Sequence, residues 1–180
     1  MKTKDMAEAA LFTAVTAVFA QIGFPQPFST VPVTLSLFAV FLCGMMLDKK
    51  AAFLSQLAYV LLGAVGAPVF YGFAGGLVRP TGGFVIAYPF MAFAAAWITE
   101  KVRGKNGTPS LARIAAAASV PLVICYAFGC LWFAFYTGAS LPAAFAVAVV
   151  PFAAFDIVKA AAASMAAPLL QRALRRQRVQ

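Results

Sequence analysis

Long apolar runs alternate with short polar connections along the whole chain. Six of the runs approach the roughly 20 predominantly apolar residues that a helix needs to cross a hydrocarbon core of about 30 Å. They extend approximately over Ala7 to Phe24, Val31 to Leu47, Ala51 to Phe73, Gly83 to Thr99, Leu111 to Thr137 and Leu141 to Leu170. The last is too long for one untilted crossing, and Pro142 and Pro151 predict that its first third is kinked or lies at the interface. No polar or low-complexity stretch is long enough to act as a linker, so residues 1–180 read as one domain. The expected architecture is an all-α integral membrane protein, a single bundle of six transmembrane helices. Lys2, Lys4 and the small-x-small pattern Val18-Phe19-Ala20 would suit a signal peptide, but Asp5 and Glu8 do not belong in its charged first region.

The connections carry the topology. Lys2 and Lys4, Lys49 and Lys50, the group Lys101, Arg103, Lys105 and Arg113, and the tail residues Arg172, Arg175, Arg176 and Arg178 occupy alternate ends of the spans. Cytoplasmic loops carry the excess of Lys and Arg, so both termini are expected in the cytoplasm. Only Arg79 lies in an opposite loop, and Lys159 lies inside the sixth run.

Composition narrows the function classes. The chain is 63% hydrophobic and 11% charged, against about 25% charged for a soluble domain, which excludes a water-soluble protein. The net charge of +9 would suggest nucleic acid in a soluble chain, but the positive residues cluster between apolar runs and give no continuous basic face. Cys43, Cys125 and Cys130 all lie inside apolar runs, which supports neither a disulfide framework nor a metal site. The chain has no histidine, no Gly-x-Ser-x-Gly elbow and no phosphate loop. It is therefore not expected to be an enzyme, nor to energise transport with ATP by itself.

Two features remain that topology does not explain. Asp156 and Lys159 are three residues apart, on one face of a helix and within pairing distance. Charges at membrane depth normally face a protein interior or a water-filled cavity. Measured back from Arg172, Asp156 lies about 16 residues up the helix, roughly 24 Å at 1.5 Å per residue, in the outer half of the membrane. Arg79 sits in Gly75-Gly76-Leu77-Val78-Arg79-Pro80-Thr81-Gly82-Gly83, a backbone-exposed turn leading into a helix N-terminus, which is a natural shape for holding an anion. Asp156, Lys159 and Arg79 together leave a net +1 that a small organic monoanion would neutralise. Phe24, Phe28, Phe70, Tyr71, Phe73, Phe84 and Tyr88 could line an apolar pocket, although such residues also form the aromatic belt of a membrane protein. Ala10 and Ala14, with Ala7 and Ala17 beside them, give the first span a small-residue stripe that lets another helix approach closely.

Four stretches, taken in order, resemble one family. They are Val31-Pro32-Val33-Thr34, the segment from Tyr59 to Phe70 (YVLLGAVGAPVF), Pro80-Thr81-Gly82-Gly83, and Pro151-Phe152 followed by Asp156 and Lys159. The chain is similar over nearly its whole length to the biotin-specific S-component (BioY-type) family of energy-coupling-factor (ECF) transporters. That resemblance implies high-affinity binding of biotin from outside the cell, with biotin as the transported ligand and no cofactor. It implies partners as well: a transmembrane scaffold subunit and two ATPase subunits, in the plasma membrane of a bacterium or archaeon. Ala10 and Ala14 match the family's contact with the scaffold, and Asp156 and Lys159 match its polar contacts to the substrate. The family commonly has Gly-Pro-Thr-Gly-Gly-Tyr where this chain has Arg79 to Phe84, so Arg79 rests on the residues alone. The expected binding residues are Asp156, Lys159, Arg79, Thr34, Gly82, Gly83, Phe70, Tyr71, Phe84 and Tyr88, with Thr30 to Thr34 and Ala74 to Gly83 closing as a lid. Three other readings stay open: an autonomous proton-coupled carrier of a small organic anion, an S-component for another vitamin, and a structural membrane subunit.

Overall fold

A computed structural model of the chain describes residues 2–26, 29–102 and 111–177. Phe28, Arg103, Lys105 and Arg178 lie outside the described residues. In chain order the elements are α1 (Thr3–Gln21), β1 (Gly23–Gln26), β2 (Ser29–Thr34), α2 (Ser36–Met46), α3 (Lys49–Ala64), α4 (Gly82–Val102), α5 (Leu111–Thr137), α6 (Leu141–Ala148) and α7 (Val150–Gln177).

The fold is mostly helical, yet the boundaries depart from the apolar runs in three places. The second run was expected to begin a helix at Val31; instead β1 and β2 form an antiparallel hairpin, and α2 starts only at Ser36. Pro32 lacks the N–H a helix needs, and the β-branched Val31, Val33 and Thr34 suit a strand. Val31 and Val33 are buried while Pro32 and Thr34 are only half-buried, a period of two. An all-α description is therefore corrected by one hairpin. The third run was expected to stay helical to Phe73, but α3 ends at Ala64, and Gly66 follows at φ 97°, a left-handed conformation that glycine adopts without cost. The sixth run divides as its prolines predict. Pro142 occupies the first turn of α6, the chain breaks at Val149, and α7 restarts with Pro151 in its own first turn.

Among the described residues, three helices, within Gly82–Lys101, Ala118–Thr137 and Val150–Ala173, are long and apolar enough to cross a membrane alone. Their outward faces are apolar: Val123, Leu131 and Phe135 on α5 and Ile157, Val158 and Leu169 on α7 are all exposed. Polar residues turn inward. Thr13, Thr16, Ser55, Gln56, Asp156, Lys159 and Ser164 are all buried, the inverse of a water-soluble distribution.

The centre is α2, buried on almost every side between α4, α7, α1 and α3. Gly44 makes this possible, because a Cβ there would come within 2.6 Å of the Ala95 side chain and 2.7 Å of the Ala92 carbonyl on α4. α1 joins α3 through a polar seam: the Thr13 hydroxyl lies 2.8 Å from the Ser55 carbonyl, and Gln56 Nε2 donates to Thr16 Oγ1 at 3.1 Å. Asp48 starts α3, its carboxylate accepting from the Lys50 and Ala51 N–H groups at 3.1 and 3.4 Å. The consequence is a rigid scaffold whose hairpin, α3–α4 connection and α6–α7 break gather at one end.

Candidate binding site

The site begins with the spacing on α7. Lys159 Nζ donates to Asp156 Oδ1 at 2.8 Å, and the two side chains are only 10% and 9% exposed. The other carboxylate oxygen accepts from the Tyr126 hydroxyl of α5 at 2.9 Å. A carboxylate offers about four lone-pair sites, so both oxygens keep acceptor capacity for a solute.

This pair lies at the edge of a cavity of about 320 Å³, a volume suited to a small organic molecule. A chain of hydroxyls lines another part of it. Thr34 Oγ1 lies 2.6 Å from Ser36 Oγ, which lies 2.7 Å from Tyr88 OH. Three hydroxyl protons serve two internal bonds, so one is left to donate to a bound group.

Aromatic rings supply the apolar walls. The Phe70 ring fills the space above Gly63, where a Cβ would collide with it. It meets Tyr59 edge-on at 5.4 Å, and Tyr59 in turn stacks on Tyr88 at 6.0 Å. The Tyr59 hydroxyl donates to the Val69 carbonyl at 3.2 Å, fixing the segment that carries Phe70 and Tyr71.

Arg79 lies on the cavity wall in the turn before α4. Its carbonyl accepts from the Gly82 N–H at 3.0 Å and from Trp132 Nε1 at 2.8 Å, which pins its backbone. Since Asp156 and Lys159 neutralise each other, Arg79 contributes the excess positive charge of the lining.

Eight residues singled out from the sequence therefore line one cavity: Asp156, Lys159, Arg79, Thr34, Phe70, Tyr71, Phe84 and Tyr88. Gly82 and Gly83 do not. Both are buried against α5, where a Cβ on Gly83 would come within 2.6 Å of the Phe128 carbonyl and would also strike Trp132. Their smallness serves close packing of α4 on α5, and the Gly82 N–H is already engaged by Arg79. Ala10 and Ala14 lie away from the cavity on the exposed face of α1. Tyr126, Ser36, Tyr59 and Cys125 were not anticipated at the site. Tyr126 meets Asp156 across 30 residues and Ser36 meets Tyr88 across 52, so no local spacing announces those contacts.

Comparison with known proteins accounts for the combination. The model of the BioY family matches residues 1–176. The chain belongs to the BioY family. Two curated relatives match over nearly full length. "Probable biotin transporter BioY" of Pyrococcus horikoshii is 41% identical over 95% of this chain and 98% of its own. "Biotin transporter BioY" of Thermotoga maritima is 37% identical over 94% and 96% respectively. A crystal structure of the S-component for biotin from an ECF-type ABC transporter superposes with a TM-score of 0.84 at 22% identity, covering 96% of this chain and 95% of that one. This BioY-family chain shares that fold.

Proposed function

We propose that this chain is the biotin-binding subunit of a vitamin uptake transporter, a membrane component that captures the solute and performs no chemistry on it. One observation carries the reading: in a chain of the BioY family, a buried acid–base pair borders a small, largely apolar cavity. Biotin combines a ureido ring, an apolar bicycle and a carboxylate, and the lining offers a counterpart to each. Asp156 accepts from the ureido N–H groups, and the spare hydroxyl proton of the Thr34–Ser36–Tyr88 chain or Lys159 donates to the ureido oxygen. Phe70, Tyr71 and Phe84 pack against the bicycle and valeryl chain. Arg79 receives the carboxylate, which brings the net charge of the lining to zero.

The same reading has six crossings with both termini cytoplasmic, supported by the alternation of Lys and Arg between the ends of the spans. The cavity then faces the exterior of the plasma membrane. Energy comes from separate scaffold and ATPase subunits, since the chain has no phosphate loop, and the exposed Ala10 and Ala14 face of α1 meets the scaffold. Asp156 is held in an ion pair, which favours a binding role over that of a proton carrier.

Isothermal titration of the purified chain with biotin, desthiobiotin, thiamine and riboflavin tests the assignment. Submicromolar binding of biotin, competition by desthiobiotin and indifference to the other two are expected. A folded sample that ignores biotin, or prefers thiamine or riboflavin, overturns it.

A further inference from the structure

The last side chain of α1 reaches across to the connection between α3 and α4. Gln21 Nε2 donates to the Phe70 carbonyl at 3.0 Å and the Val69 carbonyl at 3.2 Å, and Gln21 Oε1 accepts from the Phe73 N–H at 2.9 Å. One amide thus binds both arms of the turn that runs from Val69 to Ala74. The turn is closed on itself by Phe70 N–H to the Ala74 carbonyl at 2.9 Å and Ala74 N–H to the Phe70 carbonyl at 3.1 Å.

The turn needs holding. Gly72 has φ 71° and Phe73 has φ 55°, and the second is a left-handed conformation that side chains other than glycine rarely adopt. Phe73 is 73% exposed, so packing of its ring does not account for that conformation. The hydrogen bond from its N–H to Gln21 does. The residues the turn presents inward are Phe70 and Tyr71, both on the cavity wall. Tyr71 also packs against the hairpin, where a Cβ on Gly23 would lie 3.0 Å from its ring.

We infer that Gln21 is a positioning residue, a latch through which the end of α1 holds the 69–74 turn, and with it Phe70 and Tyr71, closed against the cavity. It touches no ligand and acts through the turn. The position of α1 is thereby coupled to closure of the site. Displacement of α1, whose outward face carries Ala10 and Ala14, lengthens three hydrogen bonds at once and frees the wall on the side of Phe70. The consequence for ligand release rests on the cavity being the biotin site; the latch itself does not.

The test uses the full chain in detergent micelles, comparing wild type with Gln21→Leu. Without ligand, amide hydrogen exchange at Phe70, Phe73 and Ala74 is expected to rise by about tenfold or more, the loss of several net hydrogen bonds, with α3 and α7 unchanged. With biotin, dissociation is expected to quicken by about tenfold, while the thermal midpoint falls by only a few degrees. Phe73→Asn, which tolerates the left-handed conformation, is expected to slow exchange again in the Gln21→Leu background. Unchanged exchange in Gln21→Leu overturns the latch whatever biotin does, and no effect of Phe73→Asn removes Phe73 from it. If Gln21→Leu loosens the whole protein, Gln21→Glu decides instead. It keeps the acceptor for Phe73 and loses both donor bonds, so faster exchange confined to the turn upholds the latch and none overturns it. A wild type that ignores biotin but shows the exchange effect keeps the latch and discards the ligand.

Discussion

Removing the charged pair of α7 in two ways separates its contribution to stability from its contribution to binding. In Asp156→Asn, the Lys159 ammonium stays at 10% exposure with no counterion. Breaking a buried pair in this manner costs about 3–5 kcal/mol. For a chain of this length that corresponds to a fall in thermal midpoint on the order of 10 °C. The double variant Asp156→Leu with Lys159→Met removes both charges and fills similar volume. Such replacements are often neutral or stabilising by about 1–4 kcal/mol, so its midpoint is expected at or above that of wild type. Binding behaves differently. Each ureido N–H bonded to the carboxylate contributes about 1.5–3 kcal/mol, so two such bonds predict a loss of affinity of at least about 100-fold in the double variant. Thermal unfolding followed by tryptophan fluorescence and titration with biotin read the two quantities on one sample. A double variant that is as stable as wild type and binds biotin within tenfold would refute the reasoning, since the pair would then be packing alone. A double variant less stable than Asp156→Asn would refute the electrostatic ledger.

Three further outcomes follow from particular contacts. Arg79→Gln should weaken biotin by about tenfold, the worth of one charge-assisted hydrogen bond, and leave a neutral biotin amide unaffected; equal losses for both, measured by titration, would remove Arg79 from the carboxylate. Gly44→Leu drives side-chain atoms into Ala92 and Ala95 of α4, and should cost about 1–3 kcal/mol or more by overpacking, seen as a lowered thermal midpoint. Asp48→Ala removes the acceptor for two N–H groups at the start of α3, and should cost about 1 kcal/mol with biotin affinity unchanged, because α3 begins far from the cavity.

The division between what was legible in the chain and what was not follows the range of the interactions. Apolar runs, alternating basic clusters and the three-residue spacing of Asp156 and Lys159 are local properties, and lipid imposes them segment by segment. A spacing of three residues puts both charges on one helix face, so the pair could be read from α7 alone. The break before α7 was equally local, because Pro142 and Pro151 act on their own turns.

Hydropathy by itself could not tell a buried strand from a buried helix. Both are apolar, so Val31 to Thr34 was absorbed into the second run, and the chain beyond Ala64 into the third. Only packing against α6 and α7 and pairing with β1 settle the hairpin. The same holds for Tyr126 reaching Asp156 across 30 residues, Ser36 reaching Tyr88 across 52, and Gln21 reaching Phe73 across 52. The chain determined which residues could not face lipid; the tertiary fold decided which of them face one another, because hydrogen bonds and ring contacts act over a few ångströms of space and carry no trace in sequence separation.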